Sequence, residues 1–176
     1  MSTKDISYFL KDLKHRIQSQ YISKWYAAIN DNNKNPILRS YCRFKSDCVL
    51  EKYLSCKIPS KYKRLITQLR VSSHQLRVET GRHRRPYIPP EKRFCIFCKA
   101  GISNEAIDDE KNFIMNCEFH NNERLTLLSS IKDADKFLSQ DVRNNDTLFN
   151  YIMCSKDQNI IGALGKFIEA SIKKRK

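Results

Sequence analysis

Cys95, Cys98, Cys117 and His120 follow one another as C-x2-C-x18-C-x2-H within FCIFCKAGISNEAIDDEKNFIMNCEFH. Thiolate sulfur and imidazole nitrogen are the donors that a structural Zn²⁺ takes in a closed tetrahedral site. A two-residue spacer lets both sulfurs of one turn reach the same ion, and Cys117 with His120 supplies a second pair. The spacing therefore predicts one structural Zn²⁺ on Cys95, Cys98, Cys117 and His120. The competing reading is that cysteines are small buried apolar side chains. It suits Cys42, Cys48, Cys56 and Cys154, which lie on apolar helix faces or near helix ends without a paired partner. His15, His74 and His83 lack ligand spacing. With 7 cysteines and no secretory signal in MSTKDISYFL, reduced thiols or metal ligands are expected rather than a disulfide frame.

Catalytic chemistry finds less to build on. A nucleophilic Cys–His pair needs an orienting group and an oxyanion donor, and no such motif is legible. Asp108, Asp109 and Glu110 in AIDDE suggest half of a metal-dependent nuclease, but a second acidic cluster is lacking. The run also serves as an N-terminal helix cap. The sequence is read as that of a non-enzyme.

Charge is unevenly spread. Residues 1–94 hold 21 Lys/Arg against 7 Asp/Glu, and residues 95–176 hold 12 of each, so the whole net charge of +14 precedes the first clip cysteine. Between Lys57 and Arg93, 11 basic residues face only Glu79 and Glu91. So concentrated a field attracts polyanions, RNA or DNA above all. Lys61, Lys63, Arg64, Arg70, Arg82, Arg84, Arg85 and Arg93 are the candidate phosphate contacts, with Tyr87 a base-stacking partner. A soluble, solvated basic surface is the plainer alternative. No apolar run approaches the ~18 residues of a membrane span, so a cytoplasmic or nuclear protein is expected. The terminal KKRK suits either nuclear import or a helix dipole.

The elements that must position these residues are helical. Ile6, Phe9, Leu10, Leu13, Ile17, Tyr21, Trp25 and Ile29 recur at helical spacing over residues 4–30. Pro36 suits the first turn of a second helix whose buried side takes Leu38, Tyr41, Phe44 and Cys48, extending to Leu50 and Leu54. A third begins near Ser60 with Tyr62, Leu65, Ile66 and Leu69 inward. TGRHRRPYIPPEKR reads as a linker, because Pro89-Pro90 forbids a helix. RFCIFCKAG then forms a short hairpin or knuckle, NFIMNCEFHNNERLTLLSSI is helical, and helices over 145–154 and 158–174 close the chain. With only 4 Gly and 5 Pro, the class is mainly α, a helical bundle-like domain with a small zinc-knuckle insertion. Its segments run 1–56, 57–94, 95–125 and 126–176 within one cooperative domain.

The order LITQLRVSSHQLRVETGRHRRPYIPPEKRFCIFC…AIDDEKNFIMNCEFHNNER resembles the zinc-binding module that follows the polymerase in non-LTR retrotransposon reverse transcriptases. Leu69, Arg70, His74, Leu76, Gly81, Arg82, Arg93, Cys95, Cys98, Glu110, Cys117 and Arg124 match that family. The match covers roughly residues 60–125, with a weaker likeness in the flanks. The family's histidine falls on Asn112, so by that pattern only Cys95, Cys98 and Cys117 remain as ligands. His120 then stands as the replacement, or water fills the fourth position. No polymerase Tyr-x-Asp-Asp is present. The resemblance implies a separated tail module that binds zinc and nucleic acid. Its rivals are a domain docking an acidic partner or a polymerase core, and a folded remnant with a degenerate metal site.

Overall fold

The computed structural model describes residues 3–31, 33–98, 106–131 and 145–175, with side chains from Asp5 onward. The chain divides into two compact units at Val49/Leu50. The basic helix, the knuckle and the closing helices share one core in the second unit.

The first unit is built on α1 (Thr3–Asn30). Side-chain amides close it, Asn30 donating to the Tyr26 carbonyl and Asn35 to that of Ala28, both at 2.9 Å. They satisfy carbonyls that a helix end leaves without partners. Pro36–Leu38 forms a 3₁₀ turn and Tyr41–Phe44 a single turn, α2. The single long helix expected from Pro36 is absent here. Lys45 turns extended and its ammonium reaches the Val49 carbonyl, which breaks the helix. Ile29 and Phe44 are the buried apolar side chains described in this unit. Ile6, Phe9, Leu10, Leu13, Ile17 and Tyr21 of α1 are exposed. Leu50 and Leu54, expected inward, are exposed in the second unit.

Among its described residues, the second unit is helix and turn apart from one bridge. Its described α-helices are α3 (Lys52–Ser55), α4 (Ser60–Arg70), α5 (Arg77–Thr80), α6 (Asn121–Ser129), α7 (Asn145–Cys154) and α8 (Gln158–Lys174). Helix α8 is the axis, packed by α4 and α6. Asp157 caps its start, accepting from the backbone N–H groups of Asn159 (2.7 Å) and Ile160 (3.3 Å). Ile160, Ile161, Leu164, Phe167 and Ile168 follow at helical spacing and are all buried. Each such side chain contributes about 1.5–3 kcal/mol on leaving water. Gly165 lets α4 approach, since a Cβ there would lie 2.5 Å from Tyr62 Cβ. Lys61 and Glu169 staple the same pair of helices across 3.1 Å.

The stretch expected as a linker is packed instead. Gly81 is buried beneath the Arg93 side chain, whose Cγ and Cδ would lie 2.9 Å from a Cβ. The Arg93 guanidinium donates to the carbonyls of Val78 (2.6 Å) and Ile88 (2.9 Å), pinning a Pro-rich path whose regular pieces are two 3₁₀ turns, Gly81–His83 and Pro90–Lys92.

Candidate metal centre

The knuckle begins with an antiparallel bridge between Phe94 and Ile107. Cys95 N–H donates to the Ala106 carbonyl (2.8 Å) and Asp108 N–H to that of Arg93 (2.9 Å). This pairing sets Cys95 at the end of one arm, with Cys98 in the turn beyond. The third sulfur arrives from a π turn, Asn112–Asn116. There Cys117 N–H donates to the Asn112 carbonyl at 2.7 Å. The wider π turn puts residues five apart one above the other, where an α-helix would separate their directions.

Sulfurs of Cys95, Cys98 and Cys117 all lie within 4.8 Å of one another, an arrangement that can hold a metal ion. Cys95 and Cys117 are buried, Cys98 half-buried. The Sγ atoms of Cys95 and Cys117 are 3.8 Å apart. The Cys117 thiol hydrogen-bonds to Cys95, which holds Cys95 down to about 6 and pushes Cys117 up. Burial raises Cys98. Beside Cys98 stands the Asn112 carboxamide, Oδ1 at 3.8 Å and Nδ2 at 3.6 Å. A neutral amide thus borders the cluster on its Cys98 side.

His120 does not join them. Its ring is 0% exposed and packs edge-on against Phe113 (5.0 Å) and Phe119 (5.1 Å). Nε2 accepts a 2.9 Å hydrogen bond from Arg175 Nε, so the ring proton sits on Nδ1, which has no partner among the described residues. The lone pair a metal would use is already engaged. Burial, and then the Arg175 charge, pull His120 down to about 4, so the imidazole is neutral.

Arg175 organises the surroundings. NH1 reaches both carboxylate oxygens of Asp108 (2.9 and 3.2 Å), NH2 approaches Cys95 Sγ at 3.8 Å, and the guanidinium lies 4.8 Å from the rings of Phe97 and Phe113. Asp108 also accepts from Arg77 N–H (3.0 Å). A second arginine, Arg124, donates to the carbonyls of Ile114 (2.8 Å) and Cys117. The acidic triplet is thus structural. Asp109 caps Asn112 N–H (2.7 Å), and Glu110 takes His74 Nε2–H (2.8 Å) and the Ser72 hydroxyl (3.3 Å). His74 Nδ1 accepts from Leu76 N–H, which fixes that tautomer. Ser72, at φ 53°, holds the left-handed turn that ends α4.

The basic candidates separate sharply. Arg70 is buried, bonded to the Met153 carbonyl (2.6 Å) and Glu51 (3.2 Å), and Arg93 is buried as above. Arg70 is thus engaged by a carbonyl and a carboxylate inside the unit, and Arg93 by two carbonyls. Arg82 is half-buried and paired with Glu79 (3.1 Å). Lys61 pairs with Glu169, and Lys63 donates to the Leu54 carbonyl (2.7 Å). Arg64, Arg84, Arg85 and Tyr87 are exposed. Of the remaining thiols, Cys56 is buried, Cys42 and Cys48 are half-buried and Cys154 is exposed rather than buried. From KKRK, Lys174 donates to the Phe119 carbonyl (2.6 Å) and pairs with Glu123 (3.2 Å).

Sequence reasoning missed Arg175. Its partners lie 55 to 80 positions away, and its only signal was a basic residue at a helix end. Among the described residues no helix is long and apolar enough to cross a membrane. In comparisons with protein-family models, curated proteins and solved structures, the chain matches none.

Proposed function

We propose that the second unit binds one structural Zn²⁺ through the thiolates of Cys95, Cys98 and Cys117, and that it is a nucleic-acid-binding module. The observation that carries the first part is the sulfur spacing. Zn–S bonds of about 2.3 Å at tetrahedral angles hold two sulfurs about 3.8 Å apart, and Cys95 and Cys117 are 3.8 Å apart. Three thiolates favour a soft or borderline ion over Mg²⁺ or Ca²⁺. Asn112 offers a neutral carboxamide oxygen as fourth donor. Such a centre carries one net negative charge, and the Arg175 guanidinium, shared with Asp108, offers a hydrogen-bond donor to Cys95.

Support for nucleic acid comes from the exposed Arg64, Arg84 and Arg85, with Tyr87 nearby in sequence, and from the excess charge of residues 1–94. The resemblance to the zinc-binding module of non-LTR retrotransposon reverse transcriptases points the same way. If three phosphates are contacted, affinity for mixed-sequence duplex should fall about 40-fold between about 50 and 200 mM salt. Fluorescence anisotropy measures this, and a flat salt profile would contradict the reading. A protein-docking role is favoured by one feature, the exposed apolar row of α1. Binding of polyglutamate but not of RNA or DNA would support it instead.

A further inference from the structure

A concavity of the second unit, about 790 Å³, is flanked by α4, the turn after it, the Cys95–Cys98 clip and α8. Its size falls within the ~300–1,000 Å³ range of ligand-holding clefts. Its floor is apolar, with Leu65 of α4 and Ile172 of α8 on either side. One wall is the interior of the clip, Ile96 and Phe97, and Ile96 is 66% exposed although it lies between two candidate metal ligands. An exposed isoleucine at the tip of a knuckle gains nothing for the fold. Arg77 and Arg84 stand at the groove, and neither guanidinium has a salt bridge among the described residues. The carboxylate within it, Asp108, is already neutralised by Arg175. Gln68 and Gln75 add amide donors and acceptors. A second concavity, about 470 Å³, is lined by both Lys166 and Glu123 and has no such excess of cations.

We infer that this groove binds an unpaired segment of RNA or DNA, with bases against Ile96, Phe97 and the apolar floor and phosphates on Arg77 and Arg84. The inference rests on the nucleic-acid reading above and narrows it. In a duplex the base faces are buried in the stack, so only phosphates are offered and the apolar floor gains nothing. An unpaired strand offers both surfaces. An acidic polypeptide would satisfy the arginines and leave the floor exposed to water. Because the clip supplies a wall, the groove is complete only when the three cysteines are held together.

Anisotropy titrations with a 12-nucleotide single strand, a duplex of equal length and polyglutamate test this on the zinc-loaded full chain. The single strand is expected to bind about tenfold more tightly than the duplex, the scale of one or two bases packed on side chains. Ile96→Ser, at an exposed position, should weaken the single strand about fivefold and leave the duplex unchanged. Arg84→Ser should weaken both. Chelation of the metal should remove the preference for the single strand. Equal affinity for the two forms, with Ile96→Ser silent, overturns the groove assignment and leaves nucleic-acid binding standing. Binding to neither form, or tighter binding to polyglutamate, overturns both.

Discussion

Helices α1 and α8 carry the same kind of apolar repeat and meet opposite fates. In α8, Ile160, Leu164, Phe167 and Ile168 are buried, while in α1 Phe9, Leu10, Ile17 and Tyr21 are exposed. The difference lies in the neighbours. Helix α8 has Gly165 to admit Tyr62, an Asp157 cap and two packed helices. Helix α1 is followed by a 3₁₀ turn and one helical turn, too short to cover 28 residues. A periodic stripe determines that a helix forms and which face wants burial. It does not supply the partner that buries it.

Substitutions make that contrast measurable. The largest effect is expected at the tightest crossing. Gly165→Ala places a methyl 2.5 Å from Tyr62 Cβ, near the root of a side chain that cannot swing away. It should lower the unfolding free energy of the second unit by about 1–3 kcal/mol in urea titration. Arg175→Ala comes next. It removes the guanidinium shared by His120, Asp108 and Cys95, and should weaken zinc binding about 10–100-fold in a competition assay with a chromogenic chelator. Arg175→Lys should restore little, because an ammonium cannot span three partners.

Acid should act on the same region. His120 in the folded chain titrates near 4, below the 6.5 of a free imidazole. The unfolded chain therefore takes up the proton first. His120 contributes its full stability above pH 6.5 and loses it as pH falls from 6.5 towards 4, by about 1.4 kcal/mol per pH unit. An NMR titration should show the His120 ring still neutral at about pH 5.5. The smallest effect belongs to α1, where Leu10→Ser should shift stability by less than about 0.5 kcal/mol. A loss of several kcal/mol there would mean that α1 has a covering partner, and the contrast would collapse.

Much of the fold was legible because it is local. The apolar spacing from Ile160 to Ile172 locates α8, and the stripe from Ile6 to Ile29 locates α1. The three cysteines are gathered where C-x2-C and Cys117 suggest a common ion. What escaped depends on distant partners. Arg70 and Arg93 read as surface cations, yet carbonyls of Met153 and Val78 take them inside. The spacing of His120 from Cys117 suits a ligand, but Phe113, Phe119 and Arg175 draw its ring into the core. The Pro-rich stretch carries no periodicity, and Arg93, with short 3₁₀ turns, gives it shape.

The central claim is a three-thiolate zinc centre that does not use His120. Metal content by mass spectrometry of the purified wild type, His120→Ala and Cys95→Ser proteins tests it most directly. The account predicts one zinc per chain in the first two and none in Cys95→Ser. Zinc lost from His120→Ala, or absent from the wild type, would contradict it.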